Sequence, residues 1–308
     1  MTSPEQAELV PVADGVFAWI QADGSWWINN AGAITTPEGV IIVDTCATEE
    51  RTRALLTAVA GATHDAPVTY AVNTHEHGDH TYGNSVLPES TVIVGHQATR
   101  AGLIADQVID GCPPFWSPVP DWGQVVRRPP TVTTSTDLTI HSGSQRLDLL
   151  HPGFAAHTTG DLVAWLPDQR VLFAGDLLFS QVTPLVFMGS LDGALRSLDW
   201  IAGFDPQHVV PGHGPLIDAN SLDEVLETHR RYYRLVLDTA RAGLDAGLTP
   251  LDAARKCSLG PFADLPDAER IVLNLHRAYA DAQHTELDIF QAFADAVTLN
   301  GGPMHTAV

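Results

Sequence analysis

Between positions 74 and 80 the chain reads Thr74-His75-Glu76-His77-Gly78-Asp79-His80, three imidazoles and the Asp79 carboxylate within six positions. Imidazole nitrogens and carboxylate oxygens together are the donor set of a divalent metal such as zinc. The run Val68-Thr-Tyr-Ala-Val-Asn-Thr74 is β-branched and aromatic and predicts a strand leading into the cluster. In an extended segment residues two apart face the same side, so His75 and His77 can grip one metal. Asp79 and His80, past Gly78, can turn to a second.

Three further candidates stand at the ends of later predicted strands, each beside a glycine that lets the backbone turn toward a shared cleft. They are His157 in Ala156-His157-Thr158-Thr159-Gly160-Asp161, Asp176 in Phe173-Ala174-Gly175-Asp176, and His213 in Pro211-Gly212-His213-Gly214. Singly, a turn histidine or a helix-capping aspartate would explain each as well; with the 74–80 cluster they complete donor sets for two metals. Cys46, Cys112 and Cys257 match no CxxC spacing, which indicates neither a thiolate zinc site nor a disulfide framework and fits a reducing compartment.

The elements that must position these groups follow from apolar patterning. Strands are predicted over 16–21, 26–36 and 39–45, separated by Asp23-Gly24 and Pro37-Glu38-Gly39, then a helix near 48–60, a strand at 91–95 and a helix over 97–109. The proline-rich stretch 111–130, with Trp116 and Trp122, predicts a loop ordered by packing. Strands return between 131 and 179, with Asp168-Gln169 as a hairpin turn, followed by a helix over 190–203 and a short strand at 208–210. Beyond Ser221 the pattern predicts three helices, 221–247, 249–257 and 267–298. Ser221-Leu-Asp-Glu224 fits a capping box and Thr249-Pro-Leu-Asp252 a proline-started helix. A boundary near 219 separates a catalytic domain, 1–219, from a helical extension packed on it, 220–308.

The chain has 308 residues, 44% hydrophobic and 17% charged, which describes a loop-rich globular protein with a sizeable core. Its net charge of −21 would be repelled by phosphate backbones and anionic lipids, so neither nucleic acid nor a membrane is expected as partner. A small-molecule substrate is. The N-terminal stretch does not read as a secretory signal and no apolar run has the length of a span, so a cytoplasmic location is expected. The tail's apolar spacing leaves the oligomeric state open.

The ordered set His-x-His-x-Asp-His, a later His, a strand-end Asp and a final Gly-His resembles the metallo-β-lactamase superfamily of metallohydrolases over about residues 14–219. The resemblance implies an α/β fold of the αβ/βα sandwich type, with two sheets face to face, helices outside, and the metals at one edge. It implies one site of His75, His77 and His157, a second of Asp79, His80 and His213, and Asp176 bridging both. Two Zn²⁺ are the implied cofactors, with iron or manganese admissible. With two zinc ions, two carboxylates and a bridging hydroxide the centre would carry about +1, suited to an anionic tetrahedral intermediate. Asp79 and Asp176 are the catalytic candidates, and Asp44 resembles the residue that buttresses the metal loop.

Asp176 stands where several true β-lactamases carry Cys, and His80 where some carry Arg, so the pattern is closer to the glyoxalase II, lactonase and thioesterase-like branches. The expected activity is hydrolysis of an activated acyl bond: a thioester, lactone or ester. The alternatives are a β-lactam hydrolase, a mononuclear-iron persulfide dioxygenase, and a biosynthetic cyclase or thioesterase partner. Trp26, Trp27, Phe115, Trp116 and Trp122 are candidates to roof an apolar pocket, with core packing as the competing use. Asn84 is as well suited to capping the following turn as to polarising a substrate oxygen, and His229 and His276 read as packed or solvated helix histidines.

Overall fold

Two fully buried runs, Val40-Ile41-Ile42-Val43 and Val171-Leu172-Phe173-Ala174, dictate the layering. Successive side chains of a strand face opposite sides, so a strand apolar at every position must be covered twice. Ile41, Val43, Val171 and Phe173 meet in one cluster between two sheets. Val40 and Ile42 pack outward on Leu55 and Val59, and Leu172 and Ala174 pack outward on a larger helical layer.

The protein is described by a computed structural model over residues 7–308. In chain order the first half comprises β1 (Glu8–Ala13), β2 (Val16–Ile20), β3 (Ala31–Thr36), β4 (Gly39–Val43), α1 (Glu49–Thr63), β5 (Val68–Val72), α2 (Gly78–Thr81), β6 (Val92–His96) and α3 (Gln97–Ala105). There follow β7 (Trp116–Ser117), β8 (Val132–Thr134), β9 (Leu138–Ser142), β10 (Gln145–Leu150), β11 (Val163–Leu166), β12 (Val171–Phe179), α4 (Leu191–Ala202), β13 (His208–His213) and β14 (Ile217–Asp218). The tail holds α5 (Leu222–Asp245), α6 (Pro250–Lys256), α7 (Arg270–Gln283), α8 (Ile289–Asn300) and β15 (Met304–His305).

One sheet runs β1-β2-β3-β4-β5-β6-β8 and the other β14-β13-β12-β11-β10-β9. Each combines antiparallel hairpins with parallel pairs, β4 with β5 and β12 with β13 among them. The α/β sandwich with outer helices is therefore the observed class. Among the described residues no helix is long and apolar enough to cross a membrane.

Three expectations are corrected. Residues 26–30 are not strand: Trp27 takes φ 69, and Asn30 Nδ2 donates to the carbonyls of Pro211 and Gly214, tying this turn to the other sheet. The helix expected over 267–298 breaks at His284, which adopts φ 55 and closes α7, and Asp288 caps α8 by accepting from Gln291 N. The capping box at Ser221 does not form, because the hydroxyl donates to Asp218 Oδ1 instead. Thr249 does cap α6, accepting from Asp252 N at 3.1 Å.

Candidate metal centre

The strands β5, β12 and β13, with the β10–β11 connection, deliver the candidate residues to one edge of the sandwich. His75 and His77 follow β5, and the single turn α2 carries Asp79 and His80. His157 lies on the β10–β11 connection, Asp176 within β12, and His213 at the end of β13. β12 shifts register on both sides of Gly175, which takes φ 53, a conformation that a side chain disfavours. Gly212 is required by contact: a Cβ there would run into the Asp176 carboxylate.

All seven residues converge in two groups, His75, His77, His157 and Asp176, and Asp79, His80 and His213, with the donor atoms of each group within 4.8 Å of one another. His77 Nδ1 lies 3.0 Å from His75 Nε2 and 2.9 Å from His157 Nε2. Asp176 reaches both groups, with Oδ2 3.4 Å from His157 Nε2 and from His213 Nε2, and Oδ1 3.1 Å from His80 Nε2. Asp79 Oδ2 is 3.2 Å from His213 Nε2.

The far side of four of the five rings meets an oxygen. His80 Nδ1 is 2.8 Å from Asp44 Oδ2, His157 Nδ1 2.8 Å from the Leu185 carbonyl, and His213 Nδ1 3.0 Å from the Gly24 carbonyl. His75 Nδ1 meets Thr74 Oγ1 at 3.0 Å, and that hydroxyl donates to Asp44 Oδ2 at 2.7 Å. An acceptor behind a ring places the proton on the rear nitrogen and leaves a lone pair in front, the state in which imidazole binds metal. Asp44 also accepts from Thr74 N at 2.8 Å, so one buried carboxylate fixes the loop backbone and a ring at once.

Electrostatics inside this pocket are extreme. Burial, then repulsion from His80, drives the His75 pKa well below the ordinary histidine value, and burial with His157 pushes His77 down to about 3. Burial opposes charge on His80 and His213 as well, but Asp176 and Asp79 outweigh it, raising His80 well above the ordinary value and His213 to about 9. The carboxylates respond in turn: against burial, the histidines hold Asp79 at about 2 and Asp176 well below the usual range. A cation entering here competes with protons for the same lone pairs.

A chamber of about 410 Å³ opens onto the centre. Trp26, Trp27, Phe115 and Trp116 line it, whereas Trp122 stands behind, 4.7 Å from the Trp27 ring and donating from Nε1 to the Val108 carbonyl. Both Trp26 and Trp27 face the chamber because they lie on a turn, where strand alternation does not hold. Glu76 is also in the lining, its pKa raised to about 7 by burial and by Asp161. Asn84 is elsewhere, exchanging hydrogen bonds with Asn73 beneath the loop. His229 and His276 are packed helix residues, the first bonded to Phe179 N and the second paired with Asp295 at 2.8 Å.

Sequence reasoning missed several neighbours. Phe187 stacks under His77 with ring centroids 5.1 Å apart, and Phe179 under His213 at 5.4 Å. Arg270, fully buried, reaches the chamber from α7, and Phe290 and Phe293 come from α8. Only Phe179 stood where a signal existed, three residues past Asp176 on the same strand.

The family model described as "Metallo-beta-lactamase superfamily" matches residues 24–213. The chain is 26% identical to the 2,4-dinitroanisole O-demethylase subunit alpha of Nocardioides sp. (strain JS1661), over 79% of this chain and 66% of the relative. It is 23% identical to the linear primary-alkylsulfatase of Pseudomonas sp. (strain ATCC 19151), over 84% of this chain and 54% of the relative. The chain thus spans between about half and two thirds of these curated relatives' lengths. A solved metallo-beta-lactamase from Pontibacter korlensis superposes with a TM-score of 0.59 at 23% identity, covering 73% of this chain and 99% of that one, a likeness of fold alone.

Proposed function

The chain belongs to the metallo-beta-lactamase superfamily, and from that premise we propose that it is a metal-dependent hydrolase cleaving an activated acyl bond of a small molecule at a two-metal centre. The observation that carries this reading is the convergence of five imidazole nitrogens and two carboxylates in two groups, with rear acceptors behind His75, His80, His157 and His213. His80 Nε2 and Asp176 Oδ1 lie 3.1 Å apart, buried and misaligned for a hydrogen bond to each other or to any other group, a cost that a bound cation removes.

The donor set fits zinc, with His75, His77 and His157 holding one ion, Asp79, His80 and His213 the other, and Asp176 shared. Two such ions would supply Lewis acidity toward the scissile group and acidify water near neutral pH. The protein's part is positional. Asp44 and Thr74 hold two of the rings in place, and Asp79 and Asp176 put two negative charges at the chamber floor. The aromatic walls put apolar surface beside the centre, and a substrate that fills the chamber would displace water and strengthen the electrostatic contacts inside.

A second reading, cleavage of a sulfate ester or an aryl ether, is favoured by what the alkylsulfatase and the demethylase subunit are named for. One panel decides between them: an acyl thioester, a lactone, an aryl ester, an alkyl sulfate and an aryl methyl ether, each with zinc-loaded protein, with chelator and after zinc is restored. Turnover concentrated on an acyl compound supports the first reading, and turnover on the last two supports the second. His77→Ala is expected to lower the metal content measured by mass spectrometry and to cut kcat/KM by about 100-fold or more. Full metal and full turnover in that variant would overturn the proposal.

A further inference from the structure

Among the described residues the chamber is lined by many rings and no unpaired cation. Its one basic side chain among the described residues outside the metal centre is Arg270, which pairs with Asp267 at 2.7 Å, donates to the Thr183 carbonyl at 3.0 Å and lies 4.4 Å from the centre of the Trp26 ring. Of the two acids in the lining outside the metal centre, Glu76 is buried on the ligand loop between His75 and His77, and Asp106 accepts from Tyr82 Oη at 2.6 Å and from Val108 N at 2.8 Å. What the walls still offer is aromatic surface. Trp116 is the hub, with the rings of Trp26, Trp27 and Phe293 5.5, 5.1 and 5.3 Å away in edge-on or tilted contact.

We propose that this chamber selects an uncharged aromatic group on the substrate, and that Phe290 is a specificity-determining residue at its mouth. An anionic substituent beyond the metals would find no unpaired cation and would lose its hydration, a penalty that a neutral ring escapes. A planar ring gains edge and face contacts with walls already spaced for them, which a flexible alkyl chain cannot match. Phe290, on the first turn of α8, lines the chamber while 62% of it stays exposed, as expected of a residue at an opening. It lies 6.4 Å from Phe115, so the mouth is bounded by the tail on one side and the proline-rich loop on the other.

The proposal rests on the hydrolase reading only for where the reacting bond sits, and the test separates the two. With zinc-loaded protein, kcat/KM divided by each ester's own alkaline hydrolysis rate constant is compared for 2-naphthyl acetate, 6-acetoxy-2-naphthoate and n-decyl acetate, and binding of the unreactive 2-naphthalenemethanol is followed by tryptophan fluorescence. The neutral aryl ester is expected to lead the other two by about tenfold or more. Phe290→Ala should raise its KM and weaken 2-naphthalenemethanol binding about 3- to 10-fold, with kcat and metal content held and Phe290→Tyr restoring both values. An equal or higher normalised value for the anionic or decyl ester would overturn the aromatic selection, and an unchanged KM and affinity in Phe290→Ala would overturn the role of Phe290. If 2-naphthalenemethanol binds with the expected Phe290 dependence but no ester is turned over, the acyl reading falls and the chamber's preference stands. Failure of 2-naphthalenemethanol to bind would overturn the preference.

Discussion

Asp44 holds φ 59, a left-handed conformation that costs a non-glycine residue about 1 kcal/mol or more. In return it takes three hydrogen bonds, from Thr74 N, Thr74 Oγ1 and the ring of His80. Asp44→Ala is expected to lower metal affinity about 10- to 100-fold while the fold persists, read by competition with a chromophoric chelator. Undiminished affinity would mean that His80 keeps its orientation unaided. At this scale the seven candidate ligands were legible because their chemical types crowd one short segment and then recur beside glycines. The groups behind His157 and His213 were not, because they are the carbonyls of Leu185 and Gly24, which any residue supplies. Arg270 and Phe290 belong to no motif, and only the folded chain places them at the chamber.

α5 joins the sheet through one histidine. His229 Nδ1 is 2.8 Å from the Val225 carbonyl, so Nε2 carries the lone pair and accepts from Phe179 N at 3.0 Å, beside the ring stacked on His213. Burial lowers its pKa to about 4, below the unfolded value near 6.5. Between those values the unfolded chain binds more protons, so this contribution is complete above pH 6.5 and lost as pH falls toward 4, up to about 3 kcal/mol. Urea unfolding at pH 7.5 and 4.5 should show His229→Gln losing less stability across the interval than the parent; equal losses would place the acid sensitivity elsewhere. The strands and α1 were legible from alternation and turn residues. Trp26-Trp27-Ile28 was misread because aromatic and β-branched residues favour strands, whereas the local geometry follows the bonds from Asn30 to the opposite sheet. The break at His284 gave no sign, since a left-handed histidine carries no glycine-like mark.

Across the whole molecule, the tail is bound to the site it covers. β15 pairs in parallel with β7, Met304 N donates to the Phe115 carbonyl at 2.8 Å, and Thr306 Oγ1 to the Trp26 carbonyl at 2.8 Å. Met304 and Thr306 are fully buried. Removing residues 304–308 is expected to cost about 2–4 kcal/mol in urea unfolding, from the lost methionine burial and hydrogen bonds, and to raise KM. Metal content should hold, because the seven candidates lie within residues 75–213; a fall in metal content would show that the tail also supports the centre. The same arrangement sets an order of events during synthesis. A chain that has left the ribosome through residue 213 already owns all seven candidate ligands, while the helix that walls them off is not yet made. Metal can therefore be acquired before Phe290 and Phe293 close the chamber opposite Trp26, Trp27, Phe115 and Trp116, and the mouth of the finished protein need admit only substrate.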